Sequence, residues 1–101
     1  MASTEPISFD EFFNVIDGKL TSTETTGCSQ NPSTLKNNPD VPLSTIEDVE
    51  KAVRAAKIAA ESWAQVPWED RKKAVEGFAS ALDAQLDDFA ALLTREQGKP
   101  V

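Results

Sequence analysis

From residue 44 onward, apolar positions recur every three or four residues, the period of a helix with one covered face. Val49, Ala52, Val53, Ala56, Ala59, Ala60 and Trp63 draw such a stripe along a helix of about five turns. Ser44-Thr45-Ile46-Glu47 opens it as a capping box, with Ser44 accepting from the third helical amide and Glu47 reaching back. Most of the stripe is alanine, so a neighbouring helix can approach closely. Pro67 ends this helix and starts the next, because proline suits a first helical turn but not an interior. The second helix carries Trp68, Val75, Phe78, Ala79 and Leu82 on one side, and turns Arg71, Lys72, Lys73 and Glu76 towards water, with an anion contact or subunit salt bridge as the lesser reading of the basic run 71–73. Gly77 inside it costs about 1 kcal/mol against alanine, which predicts close packing at that point. Trp63 and Trp68 flank the break between the two helices, where core packing at the elbow is the expected role. A third helix begins near Asp87-Asp88, acids that suit the positive end of its dipole. Phe89, Leu92 and Leu93 lie on its covered side, and it ends at Gly98, with Arg95 and Lys99 at the negative pole and Pro100 just beyond.

Before residue 44 the period changes. Residues 1–6 are small and polar and read as a disordered start to a flexible leader over 1–12, in which Ser8 and Glu11 could cap one helical turn. Phe13-Asn14-Val15-Ile16, Asp17-Gly18 and Lys19-Leu20 read as strand, two-residue turn and strand, since Asp-Gly takes the positive φ angles of a tight hairpin. Residues 21–38 are rich in Thr, Ser and Asn and supply turn hydrogen bonds but little to bury. Within them Asn31-Pro32-Ser33-Thr34 is a turn, and Val41-Pro42-Leu43 after them is a short edge strand. The expected architecture is therefore α+β and mainly α: leader 1–12, β-hairpin and loop region 13–43, three-helix segment 44–101, one small domain overall.

A chain of 101 residues buries only about two-thirds of the surface exposed by its unfolded form. Its core must rest on a few large side chains: Phe9, Phe12, Phe13, Val15 and Ile16 in the first half, Val49, Val53, Trp63, Trp68, Val75, Phe78, Leu82, Phe89, Leu92 and Leu93 in the second. Seventeen acidic against ten basic residues give a formal charge of −7, which disfavours nucleic acid and anionic membrane surfaces as partners. No apolar run approaches the roughly 20 residues that span a bilayer, and the start of the chain lacks a signal-peptide pattern, so the cytoplasm is the expected compartment. The one cysteine, Cys28, is expected to be a free thiol in a polar loop, and with no histidine in the chain neither a Cys-His nucleophile nor a zinc site can be built from it. There is no GxGxxG and no Walker lysine motif, and the four glycines stand apart. The acid pairs Glu47/Asp48, Glu69/Asp70 and Asp87/Asp88 sit at helix starts, where the dipole accounts for them. Catalytic, cofactor-binding and metal-binding residues are thus not assigned.

The order of these features carries a resemblance. Phe13-Asn14-Val15-Ile16-Asp17-Gly18-Lys19, Asn31-Pro32-Ser33-Thr34, the run from Ser44 through Ala56, Trp63-Ala64-Gln65-Val66-Pro67-Trp68-Glu69-Asp70-Arg71 and Leu92-Leu93-Thr94-Arg95-Glu96-Gln97-Gly98-Lys99-Pro100 together resemble the opening of the NAD(P)-dependent aldehyde dehydrogenase superfamily. Leu35-Lys36-Asn37-Asn38 departs from that pattern, where the family tends to place a Gly-Glu type turn, as does the segment around Cys28. The resemblance implies short β-hairpins and the first helices, which in the family pack against a Rossmann-type cofactor domain absent from this chain. It implies scaffold rather than chemistry, because the family's glycine motif, general-base glutamate and nucleophilic cysteine have no matching positions here. NAD or NADP would belong to the full-length enzyme.

Two further readings stand beside that of a truncated, N-terminal scaffold and oligomerisation segment that does not oxidise aldehydes alone. A stand-alone remnant could oligomerise and hold a hydrophobic small molecule, assisting a cyclisation without a cofactor. Its ligand site or interface would use Val49, Val53, Trp63, Trp68, Phe78 and Leu82. Alternatively the chain could dock on a full-length homologue. Self-association or such a homologue is the expected partner.

Overall fold

A computed structural model describes residues 7–100 of the chain. The expected disordered start, 1–6, lies outside the described residues. Two small antiparallel ladders precede three helices. Strands β1 (Asn14–Ile16) and β2 (Lys19–Thr21) pair Val15 with Leu20 and Ile16 with Lys19. Their turn has φ of 53° at Asp17 and 71° at Gly18, the two positive angles that a two-residue hairpin of this hand requires. Strands β3 (Thr26–Gly27) and β4 (Val41–Pro42) form the second ladder, so the polar stretch is partly ordered by pairing with the expected edge strand. Between β3 and β4, the Asn31 carboxamide accepts from the Ser33 amide at 2.9 Å and the Leu35 amide donates to the Asn31 carbonyl at 2.8 Å. Leu35 is left with φ of 61°, a left-handed conformation that glycine takes without strain, which gives a physical meaning to the departure at this turn. No helical turn forms at Ser8, whose hydroxyl pairs with the Asp10 carboxylate at 3.1 Å instead.

Helix α1 (Ile46–Trp63) starts one residue later than the capping-box reading placed it. Thr45 is the N-cap, accepting from the Asp48 amide at 3.2 Å, while Asp48 accepts from the Thr45 amide at 2.8 Å. The sequence offers both Ser44-x-x-Glu47 and Thr45-x-x-Asp48, and the second prevails because the Ser44 hydroxyl is taken by the Asn14 carboxamide at 2.8 Å. The bond from the Thr45 amide, followed by that from its hydroxyl, holds the Asp48 carboxyl below its ordinary pKa. A depressed folded value stabilises the cap above the ordinary carboxylate range and loses that contribution as pH falls through the lowered value. Acidification should therefore fray the first turn of α1 in wild type, and Asp48→Asn should remove that pH-dependent component. Following the Thr45 amide by NMR through the acid range checks this, and identical titrations for both chains would refute it.

Helices α2 (Trp68–Ala84) and α3 (Leu86–Gln97) are separated by Gln85 alone, at φ −112°. Gly98 closes α3 in the left-handed conformation, its amide donating to Thr94, as its position after the last periodic residue predicted.

The packing departs from the sequence expectation. The alanine side of α1, through Ala52, Ala55, Ala56 and Ala59, borders Val15 and Ile16 of the first hairpin rather than a second helix. Among the described residues no apolar side chain is fully buried, so none of the expected core residues forms a closed core. A Cβ on Gly77 would meet nothing within 4 Å, so no close packing accounts for this glycine within the chain. The radius of gyration is 16.7 Å, where a compact domain of this length has about 13 Å. The one buried residue among those described lies at the seat of α3. Phe9 packs on Phe89 at 5.4 Å between ring centroids, and the Arg95 guanidinium donates to the Phe9 carbonyl at 2.8 Å. Asn38, 8% exposed, donates to the Ser29 hydroxyl at 2.9 Å and to the Arg95 carbonyl at 3.4 Å.

Candidate functional site

The surface that this fold leaves uncovered lies on α1 and α2. Val49 and Val53 face outward on α1, beside Glu50, Arg54 and Lys57, in one shallow depression. Phe78, 72% exposed, and Leu82 lie on the outer face of α2. Trp63 closes α1 and Trp68 opens α2, and the Gln65 and Val66 amides donate to Ser62 and Trp63 to fold the chain back between them. The two indoles are thereby brought to one cleft of about 300 Å³ with Arg71, Lys72, Val75 and Glu76. Of the six residues singled out in the sequence, the structure brings together Val49 with Val53 and Trp63 with Trp68, and places Phe78 and Leu82 in neither hollow.

The elbow differs from expectation in two respects. Trp63 and Trp68 do not pack into a core, Trp68 being 65% exposed. Arg71, read as facing water, is half-buried, with its guanidinium 5.9 Å from the Trp68 ring centroid. The signal was present in the spacing, since Trp68 and Arg71 stand three apart and so share a helix face. The Arg71 Nε is shielded from solvent and has no hydrogen-bond partner among the described residues. Lys72 reaches Glu76 at 4.0 Å, an exposed pair of little energetic weight.

The rest of the chain offers little chemistry. Cys28 is exposed directly after β3. Among the described residues no group of His, Cys, Asp and Glu is arranged to hold a metal ion, and no helix is long and apolar enough to cross a membrane. Pyrophosphate cradles at strand-to-helix junctions use glycines and free helix amides. The junction between β4 and α1 runs through Leu43-Ser44-Thr45, has no glycine, and engages the helix start with the Asp48 carboxylate. This junction therefore lacks the elements of such a cradle.

Comparison with known proteins matches the aldehyde dehydrogenase family over residues 20–101. A malonate-semialdehyde dehydrogenase of Bacillus cereus (strain B4264) is 45% identical over 69 residues, which are 68% of this chain and 14% of the relative. Malonate-semialdehyde dehydrogenase 1 of Bacillus thuringiensis (strain Al Hakam) is 44% identical over the same shares. FUS7 of Gibberella moniliformis, described as a candidate aldehyde dehydrogenase, is 33% identical over 93 residues, which are 92% of this chain and 20% of the relative. The chain thus spans 14% to 20% of the length of these relatives. With the family matched over most of its residues, hairpins and helices in the expected order, the chain belongs to the aldehyde dehydrogenase family.

Proposed function

We propose that this chain is the N-terminal scaffold and oligomerisation segment of a cytoplasmic enzyme that oxidises aldehydes with NAD or NADP, and that it does not catalyse the oxidation alone. The observation that carries the reading is the combination of an open shape with an uncovered apolar surface. No apolar residue among those described is fully buried, while Val49, Val53, Phe78 and Leu82 project from α1 and α2. A surface of this kind is stable when something covers it. The catalytic remainder of such an enzyme is the partner that fits, with a second copy of the chain as a substitute when that remainder is absent. Nucleophile, general base and dinucleotide site then belong to the remainder, in keeping with the poor fit of the β4–α1 junction to a pyrophosphate.

The test takes the purified chain with an aldehyde and either NAD or NADP, and follows formation of the reduced nicotinamide against a protein-free blank, with sizing of the same sample. The expected result is no turnover together with concentration-dependent association, which Phe78→Glu weakens about thirtyfold, the loss typical of an interface anchor. Turnover above the blank, or a monomer that neither self-associates nor binds a full-length homologue, would overturn the reading.

A further inference from the structure

The elbow cleft is chemically distinct from the apolar faces on either side of it. Two indoles and Val75 supply its apolar walls, and Arg71, Lys72 and Glu76 leave its lining with two cations against one carboxylate. That local excess of positive charge stands out in a chain of formal charge −7. Its volume of about 300 Å³ falls at the lower end of small-ligand pockets, roughly 300 Å³ upward.

Arg71 gives the cleft a preferred ligand. The guanidinium lies within cation–π reach of the Trp68 ring, beside the apolar wall, and a planar guanidinium suits the two oxygens of a carboxylate. It makes no ion pair among the described residues, and its shielded Nε lacks an acceptor. A shielded donor without a partner is costly, so a ligand that brings an acceptor gains more here than at an exposed arginine. We infer that the cleft between Trp63, Trp68 and Arg71 binds a small apolar carboxylate, with the tail between the indoles and Val75 and the carboxylate on the Arg71 guanidinium. This site is separate from the proposed docking faces, which use Val49, Val53, Phe78 and Leu82.

Both tryptophans of the chain line the cleft, so intrinsic indole fluorescence reports on it alone. The full chain is titrated with decanoate, decanol and decyltrimethylammonium, which share a tail and differ in head group. Decanoate should saturate the signal at about tenfold lower concentration than decanol, and the cation should bind least. Arg71→Gln should erase the preference for decanoate over decanol, while Arg71→Lys, which keeps the charge but loses the planar fork, should retain part of it. Equal binding of decanoate and decanol by the unaltered chain, or an undiminished preference in Arg71→Gln, overturns the inference. If Arg71→Gln loses helicity by circular dichroism, salt decides. Decanoate binding that weakens with added salt supports the charge contact, and binding indifferent to salt overturns it. Either result leaves the turnover and association tests of the scaffold reading unaffected.

Discussion

Replacing Gly98 with valine is expected to unseat the C-terminal end of α3 and to lower the stability of the chain by about 3 kcal/mol. Two effects combine. Gly98 has φ of 74°, where a β-branched residue is strained. A Cβ built there would also lie 2.7 Å from Pro32 Cγ, so the turn between β3 and β4 would have to move. A domain of this size has only a few kcal/mol in total, and such a loss should leave much of the population unfolded at room temperature. Asparagine tolerates the left-handed backbone but still carries a Cβ, so Gly98→Asn separates the two contributions. Placing Gly98→Val in a Pro32→Ala background should recover the part of the loss that comes from the contact. Thermal melts followed by circular dichroism measure all three. A Gly98→Val chain that melts with the wild type would refute the view that this residue seats α3 on the turn.

Elements were more legible in the sequence than the contacts between them. Local chemistry fixes the Asp17-Gly18 turn, the Pro67 break and the Gly98 cap within a few residues of chain, so period and composition sufficed to place them. The capping box slipped by one residue because Ser44 and Thr45 present the same signature. Only a long-range bond, from Asn14 to Ser44, chooses between them. The expected core failed for a different reason. A helical stripe states that a face needs covering, not what covers it, and in this chain the alanine part meets a hairpin while Val49, Val53, Phe78 and Leu82 stay exposed. At the elbow, the indoles were singled out from the sequence, whereas an anion contact was only the lesser reading of Arg71, because a run of three basic residues reads first as a solvated face until one of them is found beside the Trp68 ring. The seat of α3 was the least legible feature, since residues 9, 38 and 95 share no motif and meet only through the fold.

Asn38→Leu is expected to release α3 from the second ladder at a cost of about 2 kcal/mol. Asn38 is the one buried residue among those described, and it is polar, so its place is set by hydrogen bonds rather than by apolar burial. Its carboxamide donates to the Ser29 hydroxyl and to the Arg95 carbonyl, the latter 57 residues away in sequence, and its amide donates to the Ser29 carbonyl at 2.8 Å. Leucine keeps the branched shape but is bulkier and offers no donor, leaving both oxygens without that partner in a part-buried setting. The damage should be local. Amides of α3 should lose exchange protection, and the Phe9–Phe89 contact should loosen, because Arg95 both accepts from Asn38 and donates to Phe9. Helix α1, which rests on the first hairpin and is tied to it through Asn14 and Ser44, should keep its protection. Hydrogen exchange resolved by residue distinguishes the outcomes. Equal loss in α1 and α3 would mean the chain unfolds as one cooperative unit. Selective loss in α3 would mean that its frame is assembled separately from the α1 and α2 faces offered for docking.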